Sequence, residues 1–256
     1  GDAGNVWVNI EPSFNQIHIP LASAAELRIR ENSSIRGCVD VCYKLRLPIG
    51  VEKDKKRRSA NYRDVDIVST LSLERGSKTL KFKTVVNNVV DDHKLSVLFP
   101  TGIAATESHS DGSFEIVERP IDYTTDRNGR TGDEILCHPM QKFIDISDGE
   151  RGVALMSRGI HEYRTDVIDG KSVVELTLLR SVTQTFPIHG DVFIEFDENP
   201  AQSQGEQIFE YALNFHAGDY LEGDVIKTAY CYTVPPAVYQ HAPGTRRGGL
   251  PLSHSF

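Results

Sequence analysis

From Val39 to Leu47 every second residue is apolar. Val39, Val41, Tyr43, Leu45 and Leu47 point one way, while Asp40, Lys44 and Arg46 point the other. Side chains alternate faces only in an extended strand, so this period of two predicts a strand with one wet and one dry face. The same spacing recurs at Val65-Ile67-Ser69-Leu71-Leu73, Leu80-Phe82-Thr84-Val86, Val192-Ile194-Phe196 and Ile226-Thr228-Tyr230-Tyr232. Val174-Leu176-Leu178 adds another run, with Leu179 on its reverse face predicting burial on both sides. Turn-forming clusters separate these runs: Glu74-Arg75-Gly76-Ser77, Ser110-Asp111-Gly112, Asp148-Gly149-Glu150, Asp169-Gly170-Lys171 and Asp197-Glu198-Asn199-Pro200. Asp-Gly between alternating segments is a hairpin signal. Helical evidence is confined to Ser23-Ala24-Ala25-Glu26-Leu27, with alternation following it directly. Many strands at hairpin spacing without interleaved helices predict an all-β fold of stacked antiparallel sheets.

The 256 residues suffice for a large core, and 39% hydrophobic with 25% charged residues is an ordinary globular balance. No apolar run approaches the roughly 20 residues that span a bilayer. A net charge of −8 argues against a nucleic-acid surface. The basic run Lys53-Asp54-Lys55-Lys56-Arg57-Arg58 lacks interleaved aromatics and reads as a solvated hairpin loop. Cys38, Cys42, Cys137 and Cys231 show no metal-type spacing. Cys38 and Cys42 lie roughly 13 Å apart along one strand face, beyond the reach of a disulfide. All four therefore read as buried or half-buried thiols, in keeping with a reducing cytoplasm.

No zinc-protease, nucleophile-elbow, phosphate-loop or dinucleotide motif is present. Asp91-Asp92-His93 precedes the apolar strand Leu95-Val97-Phe99 as a polar turn does. Cys137-His138-Pro139-Met140 reads as a rigid strand entry, because vicinal Cys and His rarely chelate one ion. Tyr211, His216 and Tyr220 are either an aromatic sugar platform or core, with strand spacing favouring core. Carboxylates are abundant, but their separations, on which glycosidic chemistry depends, are not written in sequence.

An ordered series of motifs narrows the reading. The stretch His138 to Tyr163 (HPMQKFIDISDGERGVALMSRGIHEY), then Leu176-Thr-Leu-Leu-Arg-Ser-Val182, resembles the C-terminal domain of glycoside hydrolase family 38, bacterial α-mannosidases above all. Asn88, Asp92-His93-Lys94-Leu95, Phe99-Pro100-Thr101-Gly102 and Phe114 to Ile121 resemble it upstream. Ala201-Gln202, Gly205, Phe209 to Leu213 and His216 continue it in the same order. The resemblance implies a multi-layered antiparallel β-supersandwich like that of galactose mutarotases, with residues 1–256 as one non-catalytic domain. It also implies retaining hydrolysis of α-mannosides by an aspartate nucleophile and zinc. Both belong to an N-terminal catalytic barrel of the same polypeptide, so neither catalytic group nor metal is expected in this chain.

Two segments resemble the family's sugar-facing wall. Gly4-Asn5-Val6-Trp7 matches a Gly-Asp-Glu-Tyr-like segment, with Trp7 where a tyrosine reaches the sugar; an indole offers a stacking face without that hydroxyl. Arg119, with the loop Asp126-Arg127-Asn128-Gly129-Arg130, matches a basic, glycine-containing stretch near the active site, where guanidinium donors or loop carbonyls hold hydroxyls. The substrate-contact candidates are thus Asn5, Trp7, Arg119, Arg127, Asn128, Gly129 and Arg130; a structural role for Arg119 stays open. A self-sufficient mutarotase-like epimerase and a free carbohydrate-binding module are the rival classes. Gly1 and Phe256 both fall inside motifs, which predicts an open sheet edge, filled by residues beyond Phe256, and an apolar face where the barrel docks.

Overall fold

The computed structural model describes residues 1–5, 9–20, 24–121, 137–183, 200–234 and 236. The strands are β1 (Glu26–Asn32), β2 (Arg36–Pro48), β3 (Tyr62–Glu74), β4 (Thr79–Asn88), β5 (His93–Pro100), β6 (Glu107–Asp111), β7 (Ile116–Pro120), β8 (Cys137–Pro139), β9 (Phe143–Ser147), β10 (Arg151–Arg158), β11 (Glu162–Ile168), β12 (Lys171–Ser181) and β13 (Gly205–Ala217). Among the described residues one α-helix, α1 (Val225–Thr233), follows them. Nine strands form a large sheet in the order β1-β2-β3-β4-β13-β10-β9-β6-β7, and four form a smaller one in the order β5-β12-β11-β8. Among the described residues every pairing between these strands is antiparallel, as the hairpin spacing predicted. The result is the expected all-β, layered antiparallel supersandwich.

The turns obey the local chemistry. Ile168 pairs with Lys171 across a two-residue loop, and both loop residues are left-handed, Asp169 at φ 52° and Gly170 at φ 70°. That is the type I′ geometry whose twist suits a hairpin. At the β9–β10 turn the Asp148 carboxylate accepts the N–H groups of Glu150 and Arg151, and Gly149 supplies φ 87°. The predicted strand Val192-Ile194-Phe196 and the turn at residues 197–199 lie outside the described residues.

The large sheet buries its inner face against the small one. Ile144, Ile146, Leu155 and Tyr211 of the first meet Tyr163, Val174 and Leu176 of the second. An aromatic cluster fixes their spacing. Phe82 stacks on Tyr211 at 5.1 Å, and Phe99 from β5 stands edge-on to both at 5.8 Å. The Tyr211 hydroxyl lies 2.7 Å from Thr84 Oγ1, so its polar end is paired as burial requires. Tyr211 is therefore core rather than a sugar platform.

Ile226 to Tyr232 is helical, not the predicted strand. Val225, Ala229 and Tyr232 are buried at helical spacing against Phe143, Ala154, Met156 and Ala212 on the outer face of the large sheet. Ile226 and Tyr230 are exposed. Apolar residues on both sides of the helix produce an alternation that mimics a strand. Cys231 on this helix is exposed, contrary to the expectation for all four thiols; Cys38 is buried, Cys42 and Cys137 are half-buried, and none is disulfide-bonded. Arg58 also departs from the solvated-loop reading. Its guanidinium is buried and donates to the carbonyls of Pro48, Asp91 and Asp92.

On the same outer face His216 reaches across Gly152 to Asp145, with Nε2 to Oδ1 at 2.7 Å and both side chains buried. Gly152 and Gly223 leave no room for anything beyond hydrogen; a Cβ at either would land on the imidazole. Gly152→Ala is expected to cost roughly 1–3 kcal/mol through overpacking, read by urea denaturation; an unchanged midpoint contradicts this packing. Burial alone would lower the His216 pKa, but the hydrogen bond and charge of Asp145 outweigh it and raise the pKa above its ordinary value. The raised folded value means that the stabilisation is full below the unfolded pKa of about 6.5 and fades as pH rises through the folded pKa. Melting temperature is therefore expected to fall above about pH 6.5 in the native chain and less steeply in His216→Gln, measured in parallel pH series.

Candidate functional site

The chain's first residues are tied down by one buried carboxylate. Asp2 is 1% exposed; its Oδ1 accepts the N–H groups of Gly4 at 2.9 Å and Ile10 at 3.3 Å, and its Oδ2 accepts Nε and Nη2 of Arg180 at 3.0 and 2.8 Å. Arg180 Nη2 also donates to the Asn5 carbonyl at 3.0 Å. Asp2 N–H bonds the carbonyl of Asp92, and Ala3 N–H that of Ile10. A carboxylate removed from water is costly unless paired and hydrogen-bonded, and here each oxygen is satisfied. The arrangement fixes the backbone of Asn5 against β12.

Arg119, on β7, turns into the protein. Its Nη1 donates to Ser110 Oγ at 2.6 Å and Tyr163 Oη at 3.1 Å, and Tyr163 Oη donates to Ser110 Oγ at 3.1 Å. This is a hydrogen-bonded junction between the two sheets, and no carboxylate pairs with Arg119 among the described residues. Next to it the His138 ring lies 5.8 Å from that of Tyr163. Burial, then the charge of Arg119, lowers the His138 pKa to about 4, so it is neutral at pH 7.

A cavity of about 560 Å³ is lined by His138, Arg158, His161, Glu162, Thr177 and Arg180 among others, and neither Asn5 nor Arg119 is in its lining. Asn5 adjoins it through Arg180, and Arg119 through His138. Cys137, also in the lining, lies 3.4 Å from Lys94 Nζ, which is 3.4 Å from Glu162 and 3.5 Å from Glu175. The lining thus offers guanidinium, carboxylate, hydroxyl and imidazole groups beside an apolar floor of Leu178, Ile208 and Phe209, a mixture suited to a polyhydroxy ligand. Trp7, Arg127, Asn128, Gly129 and Arg130 lie outside the described residues.

Comparison with known proteins decides the family. The profile of the glycosyl hydrolases family 38 C-terminal domain matches residues 7–188. The chain belongs to glycoside hydrolase family 38. It is 30% identical, over its whole length, to a putative mannosylglycerate hydrolase of Halalkalibacterium halodurans, but spans only 28% of that relative. It also resembles the crystal structure of an α-mannosidase from Enterococcus faecalis V583, at 25% identity and a TM-score of 0.77, covering 92% of this chain and 27% of that one. A second crystal structure, of a protein in glycosyl hydrolase family 38 from Enterococcus faecalis, gives a TM-score of 0.76 at 25% identity, over 92% of this chain and 28% of that one.

No group of three His, Cys, Asp or Glu side chains that could hold a metal occurs among the described residues. Asp92 sits in a turn at φ 51°, its Oδ1 accepting from Thr183 and Gln202, and burial lowers the neighbouring His93 pKa to about 4. The structural reading of Asp91-Asp92-His93 holds. Sequence reasoning missed the Asp2–Arg180 pair. The two are 178 positions apart, and nothing local to Arg180 marks its partner. Arg180→Met is expected to destabilise the chain by about 3–5 kcal/mol, because it strands a buried carboxylate. Adding Asp2→Asn is expected to restore part of that loss, and additive effects in this double-mutant cycle contradict direct coupling.

Proposed function

We propose that residues 1–256 form a single non-catalytic domain of an α-mannosidase-type hydrolase and complete one wall of its sugar site. In this reading the aspartate nucleophile and zinc lie in a catalytic barrel elsewhere in the same polypeptide. The observation that carries it is the match of this whole chain to 28% of a putative mannosylglycerate hydrolase, together with its likeness to 27% of an α-mannosidase. The wall is the cavity between Arg180 and His138, with Asn5 and Arg119 behind its rim. The substrate is an α-mannoside, its linkage and aglycone set by the barrel as much as by this domain.

Against a self-sufficient epimerase stands the place of the one buried His–carboxylate pair among the described residues. His216 and Asp145 are sealed under the turn that precedes α1, with 3% and 0% side-chain exposure, instead of lining the cavity. An acid–base pair must reach the proton it moves. A cytoplasmic setting belongs to the same proposal and draws support from four thiols without a disulfide.

The chain alone is expected to release no aryl alcohol from an aryl α-mannoside and to retain no stoichiometric zinc after dialysis. The full-length gene product is expected to release the aryl alcohol and to retain zinc. Turnover by the purified chain, with host enzyme excluded, overturns the assignment of a non-catalytic role.

A further inference from the structure

The inner face of the large sheet is covered unevenly. Over β4, β13, β10 and β9 it meets the small sheet, and its side chains are buried. Over the Leu45–Leu47 end of β2 and the Val65–Ile67 end of β3 that face is still buried with Val86 and Val90, but at Val39, Val41 and Leu71 it is only half-buried, and over β1 it runs on without cover. Leu27 pairs with Val41, and Ile29 with Val39, which pairs in turn with Leu71 and, one strand further, Phe82. Leu27 is 68% exposed, Ile29 74% and Leu73 44%, whereas Phe82 at the far end of the row is packed in the core. One apolar row thus passes from core into solvent.

The opposite face of the same strands is already built for water. It carries the ion pairs Arg28–Glu26, Arg30–Asp40, Lys44–Asp66 and Arg46–Asp64. A three-stranded arm that faced solvent on both sides would not need this division. Large, contiguous exposed apolar surface on a soluble protein marks a contact site.

We propose that another β-layer, contributed by the part of the polypeptide that this chain does not span, packs on the inner face of β1 and of the adjoining halves of β2 and β3, at Leu27, Ile29, Val39, Val41, Leu71 and Leu73. Three observations select this occupant. The bare face is continuous with one covered by a β-sheet, so the sheet-on-sheet spacing of about 10 Å extends along it without change of geometry. Apart from Ser69 and Gly37, the paired residues on this face are aliphatic (Leu27, Ile29, Val39, Val41, Leu71 and Leu73), the composition of a sandwich interior rather than of a ligand groove. The relatives hold the additional chain, since this one spans 27–28% of their lengths. The proposal rests on the reading that this domain is part of a longer polypeptide, and it is independent of whether that polypeptide hydrolyses mannosides.

The test is the double substitution Leu27→Lys/Ile29→Lys, made in the 256-residue chain and in the full-length gene product. In the chain alone both side chains already stand in water, so the melting temperature is expected to move by no more than about 1 °C. In the full-length protein two buried contacts are lost and the melting temperature is expected to drop by several degrees. The variant Leu27→Thr/Ile29→Thr, which keeps strand propensity, separates loss of cover from loss of β1 and is expected to show the same contrast in reduced form. Equal, negligible shifts in both proteins overturn the proposal by leaving the face bare. Sedimentation of the full-length protein as a dimer that the lysine variant dissociates overturns it too, by assigning the face to a second copy. Mannosidase activity, assayed on the same samples, reports on the proposed function separately from the melting shift.

Discussion

Everything in this fold depends on the inner face of the nine-stranded sheet finding cover. Phe82, Tyr211 and Phe99 hold the two sheets together at their centre. Burying each such ring contributes on the order of 1.5–3 kcal/mol, and the Tyr211–Thr84 bond removes the penalty of the one polar atom among them. Once the small sheet is docked there, β8, β11 and β12 border the cavity with Cys137, His138, Glu162, Thr177 and Arg180. The candidate wall is thus a by-product of sheet packing. Where the cover ends, at β1 and the Leu73 end of β3, apolar side chains meet solvent.

A second constraint is the satisfaction of buried charge. Asp2, Asp145 and Arg58 are all buried; Asp2 and Arg58 are matched by named donors and acceptors, and Asp145 bonds His216 through Oδ1 while its Oδ2 has no hydrogen-bond partner. Asp2 joins the start of the chain to β12, Asp145 holds the turn before α1 through His216, and Arg58 ties the β2–β3 connection to residues 91 and 92. These joints tie together stretches of chain that strand pairing alone leaves apart.

Strand periodicity made the sheets legible. Alternation located β2, β3, β4 and β12, and Asp-Gly located the β11–β12 hairpin, because both signals arise from backbone geometry within a few residues. The helix was not legible. Ile226, Thr228, Tyr230 and Tyr232 satisfy a period of two, while the spacing that packs is Val225, Ala229 and Tyr232, and only the small residues Ala154 and Ala212 on a distant surface make room for it. The site was legible only through resemblance. That likeness named Asn5 and Arg119, yet the groups that hold them, Arg180, Asp2, Ser110 and Tyr163, come from four separate stretches of chain. Such pairings are set by topology, and topology is not local.

The account's central claim is that this domain supplies a wall to a sugar site whose chemistry resides elsewhere in the polypeptide. The most direct measurement is a crystal structure of the full-length gene product with a mannose-derived inhibitor bound. The account predicts an inhibitor at the zinc of the barrel with at least one hydroxyl against this domain, at the mouth of the cavity between Arg180 and His138. An inhibitor enclosed wholly by the barrel, with that mouth facing bulk solvent, would contradict it.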